Sequence, residues 1–84
     1  MLMYDMVKAY VLINCDMGSE QDVIDELKHI DYVTEVQGTF GAYDIIAKLV
    51  SEKAESLRES ITWRIRKISS VRSTLTLMGI EGQS

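Results

Sequence analysis

One cysteine and one histidine are all that this sequence offers to covalent cross-linking and soft metal ligation. Cys15 alone closes no internal disulfide, and together with His29 it falls short of a dedicated Cys/His metal cluster. The opening stretch, Met1-Leu2-Met3-Tyr4-Asp5-Met6, lacks the basic lead of a secretory signal. The longest apolar runs, such as residues 9–13, have the length of a strand and not of the roughly 20 residues a spanning helix needs. Low-complexity sequence is also missing, and 46% apolar content is too high for a disordered chain. The expectation is a cytoplasmic protein with no membrane association, no metal and no cofactor.

What is present is short. Eighty-four residues hold one hydrophobic core, so the chain is expected to be one domain over 1–84 with its structured part at 7–80. A core of this size is marginal by itself, and without disulfide or metal the remaining device is a partner subunit.

Residues 7–15 alternate, with Val7, Ala9, Val11, Ile13 and Cys15 on one face and Lys8, Tyr10, Leu12 and Asn14 on the other, which predicts a strand. Gly18 breaks the pattern. Ser19 and Asp22 then form a capping-box variant, and Val23, Leu27 and Ile30 mark the buried stripe of a helix ending near Asp31. Residues 32–40 are rich in β-branched and aromatic side chains, with Gly38 as a bulge or close-approach point. Gly41-Ala42 suits a two-residue hairpin turn into a third strand carrying Tyr43, Ile45, Ala47 and Leu49 on one face. Leu57, Ile61, Ile65 and Ile68 predict a second helix over 52–68, and the alternation of 71–80 predicts a last strand.

The order βαββαβ specifies an α+β ferredoxin-like plait: a four-stranded antiparallel sheet with both helices on one side. The opposite face is then expected to display Tyr10, Leu12, Ile46, Val50, Met78 and Ile80, interrupted by Lys8, Lys48 and Arg72. That surface is too apolar to stay wet, and a second copy is the simplest cover, giving a dimer packed through its sheets as in α+β barrels.

Charge is unevenly spread. Residues 1–44 carry net −7 and residues 45–84 net +3. Lys53, Arg58, Arg64, Arg66, Lys67 and Arg72 form a basic stripe that suits solvent, phosphate or the acidic first helix of another subunit. A formal charge of −4 argues against nucleic acid as the main ligand. Phe40-Gly41-Ala42-Tyr43 echoes an RNA-binding strand motif, but the basic lead residue is missing and Asp44 stands where an apolar one belongs.

Catalytic residues are not apparent. His29 falls at a helix end, no Ser/His/Asp or Cys/His set accompanies it, and Tyr10, Tyr43 and Asp44 are the only conceivable acid–base groups of a dimeric barrel enzyme. Cys15 reads as a small buried hydrophobe. Trp63 projects from the polar face of the second helix, either as an interface anchor or folded over a loop of its own subunit.

Two segments carry a resemblance. Gly41-Ala42-Tyr43-Asp44 has the pattern G-x-Y-D, and Val71-Arg72-Ser73-Thr74-Leu75-Thr76 has V-x-x-T-x-T. In this order of elements they resemble the effector (RAM) domain of Lrp/AsnC feast/famine transcription regulators across residues 7–80. The resemblance implies a non-catalytic domain that dimerises through its sheet, assembles further, and binds an amino acid or related metabolite between dimers. It implies that Gly41, Ala42, Tyr43, Asp44, Thr74 and Thr76 build the effector site.

Gly41 would let backbone approach a ligand, Asp44 would pair with an α-ammonium, and Thr74 and Thr76 would hold a carboxylate. The bland alternative is that Gly41 and Asp44 serve the hairpin and the threonines merely suit a strand. Phe40 and Leu75 stand where relatives often carry smaller or polar residues. Six residues before the first strand cannot form a helix-turn-helix, so the chain is expected to lack a DNA-binding domain and to act through full-length regulators of the family. The competing readings are a small dimeric α+β barrel enzyme and an ACT-like or purely structural oligomerisation module.

Overall fold

The computed structural model describes residues 6–80. The first strand, β1 (Val7–Cys15), expresses its alternation directly: Ala9, Val11, Ile13 and Cys15 are buried, while Lys8, Tyr10, Leu12 and Asn14 are half-buried on the other face. Gly18 takes φ +87°, a left-handed conformation that glycine adopts without strain, and turns the chain into α1 (Glu20–Leu27). Ser19 occupies the N-cap with its side chain unbonded, so the expected capping box with Asp22 does not form. The acidic first turn, Glu20 and Asp22, still complements the positive end of the helix. The helix stops at Leu27, earlier than the apolar spacing suggests, and tight i→i−3 turns carry Ile30 into the core.

A hairpin follows, made of β2 (Val33–Gly38) and β3 (Ile45–Ser51). Its connection is the whole of 39–44 and not the two-residue turn the sequence suggests, because Thr39 already bonds to Asp44 across the loop. The irregularity in the pairing lies between Val33 and Glu35, not at Gly38, where an added Cβ would make only an ordinary contact with Ile24.

The second helix, α2 (Ala54–Ser60), runs straight into a π turn (Ile61–Ile65), closed by the Arg66 N–H donating to the Ile61 carbonyl at 2.9 Å. Leu57, Ile61, Ile65 and Ile68 are buried as their spacing requires. The last strand is β4 (Val71–Met78).

All pairings are antiparallel and the strand order is β2-β3-β1-β4, the ferredoxin-like plait. The core fills the space between the helices and one face of the sheet, where Ala9, Val11, Ile13, Ile45, Ala47 and Leu49 are fully enclosed. On the opposite face Lys8 faces Val50, Tyr10 faces Lys48 and Leu12 faces Ile46.

The last strand departs from expectation. Between Asn14 and Cys15 the β1–β4 register slips, so that Cys15 pairs with Val71 while Asn14 pairs with Ser73, leaving Arg72 as the extra residue of a bulge. One extra residue exchanges the two faces of everything beyond it. Met78 therefore lies opposite Ala9 on the helix side, and the open-face positions beside Leu12 and Tyr10 belong to Leu75 and Leu77. Ile80 lies beyond the strand and is exposed. Met78 and Ile80 thus leave the apolar open-face set, which consists of Tyr10, Leu12, Ile46, Val50, Leu75 and Leu77.

Candidate ligand-binding site

The residues of the expected effector site fall into two groups. Gly41, Ala42, Tyr43 and Asp44 form the tip and exit of the β2–β3 loop. Gly41 has φ +128° with open space around it, so glycine is required there by conformation and not by crowding. The Thr39 hydroxyl donates to the Tyr43 carbonyl at 2.7 Å, and the Thr39 N–H donates to the Asp44 carbonyl at 2.8 Å. Asp44 fastens the loop to the sheet. Its N–H donates to the Ile13 carbonyl at 2.9 Å, and its Oδ2 accepts the Cys15 N–H at 3.0 Å. Phe40 is fully exposed beside this loop and fills no hollow of its own protomer.

Asp44 also shapes the thiol next to it. Burial pushes the Cys15 thiol above its ordinary value, and the carboxylates of Asp44, Glu20 and Asp16 add to that push. The thiol stays protonated and unreactive, in keeping with a packing role.

Thr74 and Thr76 belong to the other group. The bulge turns both toward the helix side of β4, where they pair with Ile13 and Val11. There they line a groove of about 760 Å³ between β4 and the α2–π segment. Its helix wall is Arg58, Ile61, Thr62 and Arg66, and its strand wall includes Val71, Arg72 and Ser73. None of the residues 41–44 lines this groove. Thr74 and Ile45, the residue after Asp44, flank Ile13 on its two sides, so the two groups lie about two strand spacings, roughly 10 Å, apart.

Among the described residues no side-chain hydrogen bond involves Thr62, Ser73, Thr74 or Thr76. The one ion pair among them joins Arg72 to Asp16 at 3.8 Å with both side chains largely exposed, an arrangement worth at most about 1 kcal/mol.

Other sequence candidates are dispersed. His29 is exposed at the end of α1, with Nδ1 donating to the Asp25 carbonyl at 2.8 Å. Tyr10 lies on the open face and Tyr43 in the loop. Trp63 is 65% exposed, and Lys67 sets its ammonium 5.4 Å from the ring centroid. Among the described residues no cluster of three or more His, Cys, Asp or Glu side chains could hold a metal ion, and no helix is long and apolar enough to cross a membrane. Sequence reasoning placed Arg58, Arg66 and Arg72 in a broad basic stripe. Their convergence in one groove had no linear signal beyond the four-residue steps of Arg58, Thr62 and Arg66, one position on from the buried stripe.

The plait has one helix-covered face, one bare face rich in apolar side chains, and a polar loop and groove open to a ligand. The chain belongs to the Lrp/AsnC ligand binding domain family, which matches residues 8–81. Among solved structures it is similar to FFRP-DM1, with 31% identity, a TM-score of 0.84, and coverage of 88% of this chain and 99% of that one. It is similar also to TTHA0845 from Thermus thermophilus, with 26% identity, a TM-score of 0.86, and coverage of 93% and 98%. E. coli AsnC is 26% identical with a TM-score of 0.83; the match covers 93% of this chain and 52% of AsnC, so the chain spans about half of that regulator. No curated protein sequence matches significantly.

Proposed function

We propose that this domain senses an amino acid for a transcription regulator, binding it where two subunits meet, and that copies pair through the open face of the sheet. The observation that carries the reading is the state of Asp44. One carboxylate oxygen is committed to the Cys15 N–H, and the other has no protein partner among the described residues. It is therefore held in place and free to accept from an α-ammonium. The hydroxyls of Thr74 and Thr76 are similarly uncommitted, which suits them to a carboxylate. The groove that Thr74 and Thr76 line holds none of residues 41–44, which suits a site completed across a subunit contact. A Neisseria meningitidis transcriptional regulator that shares the fold, at 8% identity and a TM-score of 0.81, forms a complex with L-Met. Action on transcription would then run through mixed assembly with full-length regulators.

A thermal-shift screen of the twenty amino acids tests the reading. A subset should raise the melting temperature as mass action requires, and silence across the panel at millimolar concentration would leave a purely structural oligomerisation module. For any amino acid that binds, Asp44→Asn should weaken affinity about ten- to a hundredfold, the worth of one charge-assisted hydrogen bond. Asparagine keeps an acceptor for the Cys15 N–H, so the loop stays anchored and the loss reports the charge.

A further inference from the structure

Three of the four arginines in a chain of net charge −4 converge on one groove, and among the described residues no carboxylate lines it. Arg58 and Arg66 come from successive four-residue steps along the α2–π segment, and Arg72 from the bulge that opens β4. Arg58 and Arg66 have no acidic partner among the described residues, and Arg72 has only the long, exposed contact with Asp16. Gathering like charges opposes folding unless something else rewards it.

The remaining polar groups point the same way. Hydroxyls of Thr62, Thr74 and Thr76 line the groove without protein partners among the described residues. β4 is an edge strand, and the Gly79 N–H donates inward to the Lys8 carbonyl at 2.7 Å. Backbone direction alternates along a strand, so the N–H groups of Thr74 and Thr76 point away from β1, toward the open edge. The groove thus presents guanidinium groups and hydroxyls with no carboxylate among its described lining residues, beside a strand edge that offers the free backbone N–H and C=O groups of Thr74 and Thr76. Its volume of about 760 Å³ falls within the range of small-molecule sites, roughly 300–1,000 Å³.

We propose that this groove binds a small polyanion, a molecule bearing a phosphate or several carboxylates, with Arg58, Arg66 and Arg72 as its principal ligands. The net negative charge of the chain disfavours a nucleic acid as occupant. The site shares Thr74 and Thr76 with the proposed amino-acid site but depends on different charged residues, and it stands whether or not amino acids bind.

Calorimetric titration of the full chain with pyrophosphate and with citrate, at ionic strength held constant with potassium chloride, is the test. Saturable binding of at least one is expected, and the titration that succeeds distinguishes a phosphate site from a carboxylate site. The double variant Arg58→Gln/Arg66→Gln should weaken it by about a hundredfold, from roughly tenfold for each lost charge-assisted contact. Arg64→Gln, on the same segment but outside the groove, should leave it unchanged. In the wild-type chain, nitrogen-15 NMR should show the anion moving the Arg58 and Arg66 side-chain signals and the Thr74 and Thr76 amides.

The proposal is overturned if neither anion binds, if Arg64→Gln weakens binding as much as the double variant, or if the shifted signals lie elsewhere. It is also overturned if the double variant lowers the particle mass in light scattering, because the groove would then hold the acidic helix of a second copy. Anion binding with a silent amino-acid panel would refute the amino-acid reading alone, and the reverse result would refute this one alone.

Discussion

The two faces of the sheet differ most in what covers them, although Lys8 and Lys48 interrupt the apolar side chains of the open one. On the helix side Ala9, Val11, Ile13, Ile45, Ala47 and Leu49 are sealed from solvent. On the other side Tyr10, Leu12, Ile46 and Val50 are only half-buried, and Leu75 and Leu77 are 45% and 50% exposed. β1 and β3 carry Tyr10, Leu12, Ile46 and Val50 on this second face, more apolar area than a face left to water usually holds. The protomer supplies one cover, and the contiguous patch on the other face is a surface of the kind that marks an interface.

Substitutions on the two faces should therefore separate stability from assembly. Leu49→Ala removes a fully buried side chain and should cost about 2–5 kcal/mol in denaturant unfolding, the usual range for a core cavity. A loss below about 1 kcal/mol would show a core able to collapse around the gap. Leu12→Glu on the opposite face should cost the protomer much less and instead shift light-scattering mass toward 9.5 kDa. An unchanged particle, or one already monomeric in the wild type, would break the comparison by removing the second cover.

The loop end of the sheet offers a finer contrast. Asp44→Ala leaves the Cys15 N–H without its acceptor and should cost about 1–2 kcal/mol, whereas Asp44→Asn should cost less than half of that. Equal losses from the two variants would show that charge, and not the hydrogen bond, holds the loop. The smallest effect is a pH dependence at the same place. Folding raises the Cys15 thiol above its ordinary value of 9.0, chiefly by burial, so the folded chain holds that proton more tightly than the unfolded chain does. The associated stability is complete below about pH 9 and is lost as pH rises through the folded value. Thermal unfolding above that pH should decline more steeply in the wild type than in Cys15→Ala; parallel curves would remove Cys15 as the cause.

Strand β1 and the stripe Leu57, Ile61, Ile65 and Ile68 were legible in the sequence because each expresses a single uninterrupted period, two for a strand and near 3.6 for a helix. The motif G-x-Y-D was legible as a loop, and its aspartate as a residue with a task. Its double task was not, because the partner of Asp44 is the backbone of Cys15, twenty-nine positions away. The expected capping box and two-residue turn failed for a related reason: alternative local bonds, such as Thr39 to Asp44, closed the chain differently. In β4 the alternation itself is real, but the bulge at Arg72 exchanged its faces, trading Met78 and Ile80 for Leu75 and Leu77 on the open side.

Local period and composition were enough to settle the order βαββαβ, the side of β1 that enters the core and the charge division between the halves. None of these needs knowledge of distant neighbours. Only the folded chain shows which face of β4 is which, that Asp44 is anchored to the middle of the sheet, and that three arginines from a π-containing segment and a bulge share one groove. Each of these depends on register between segments far apart in the chain, and a shift of one residue in that register changes the answer completely.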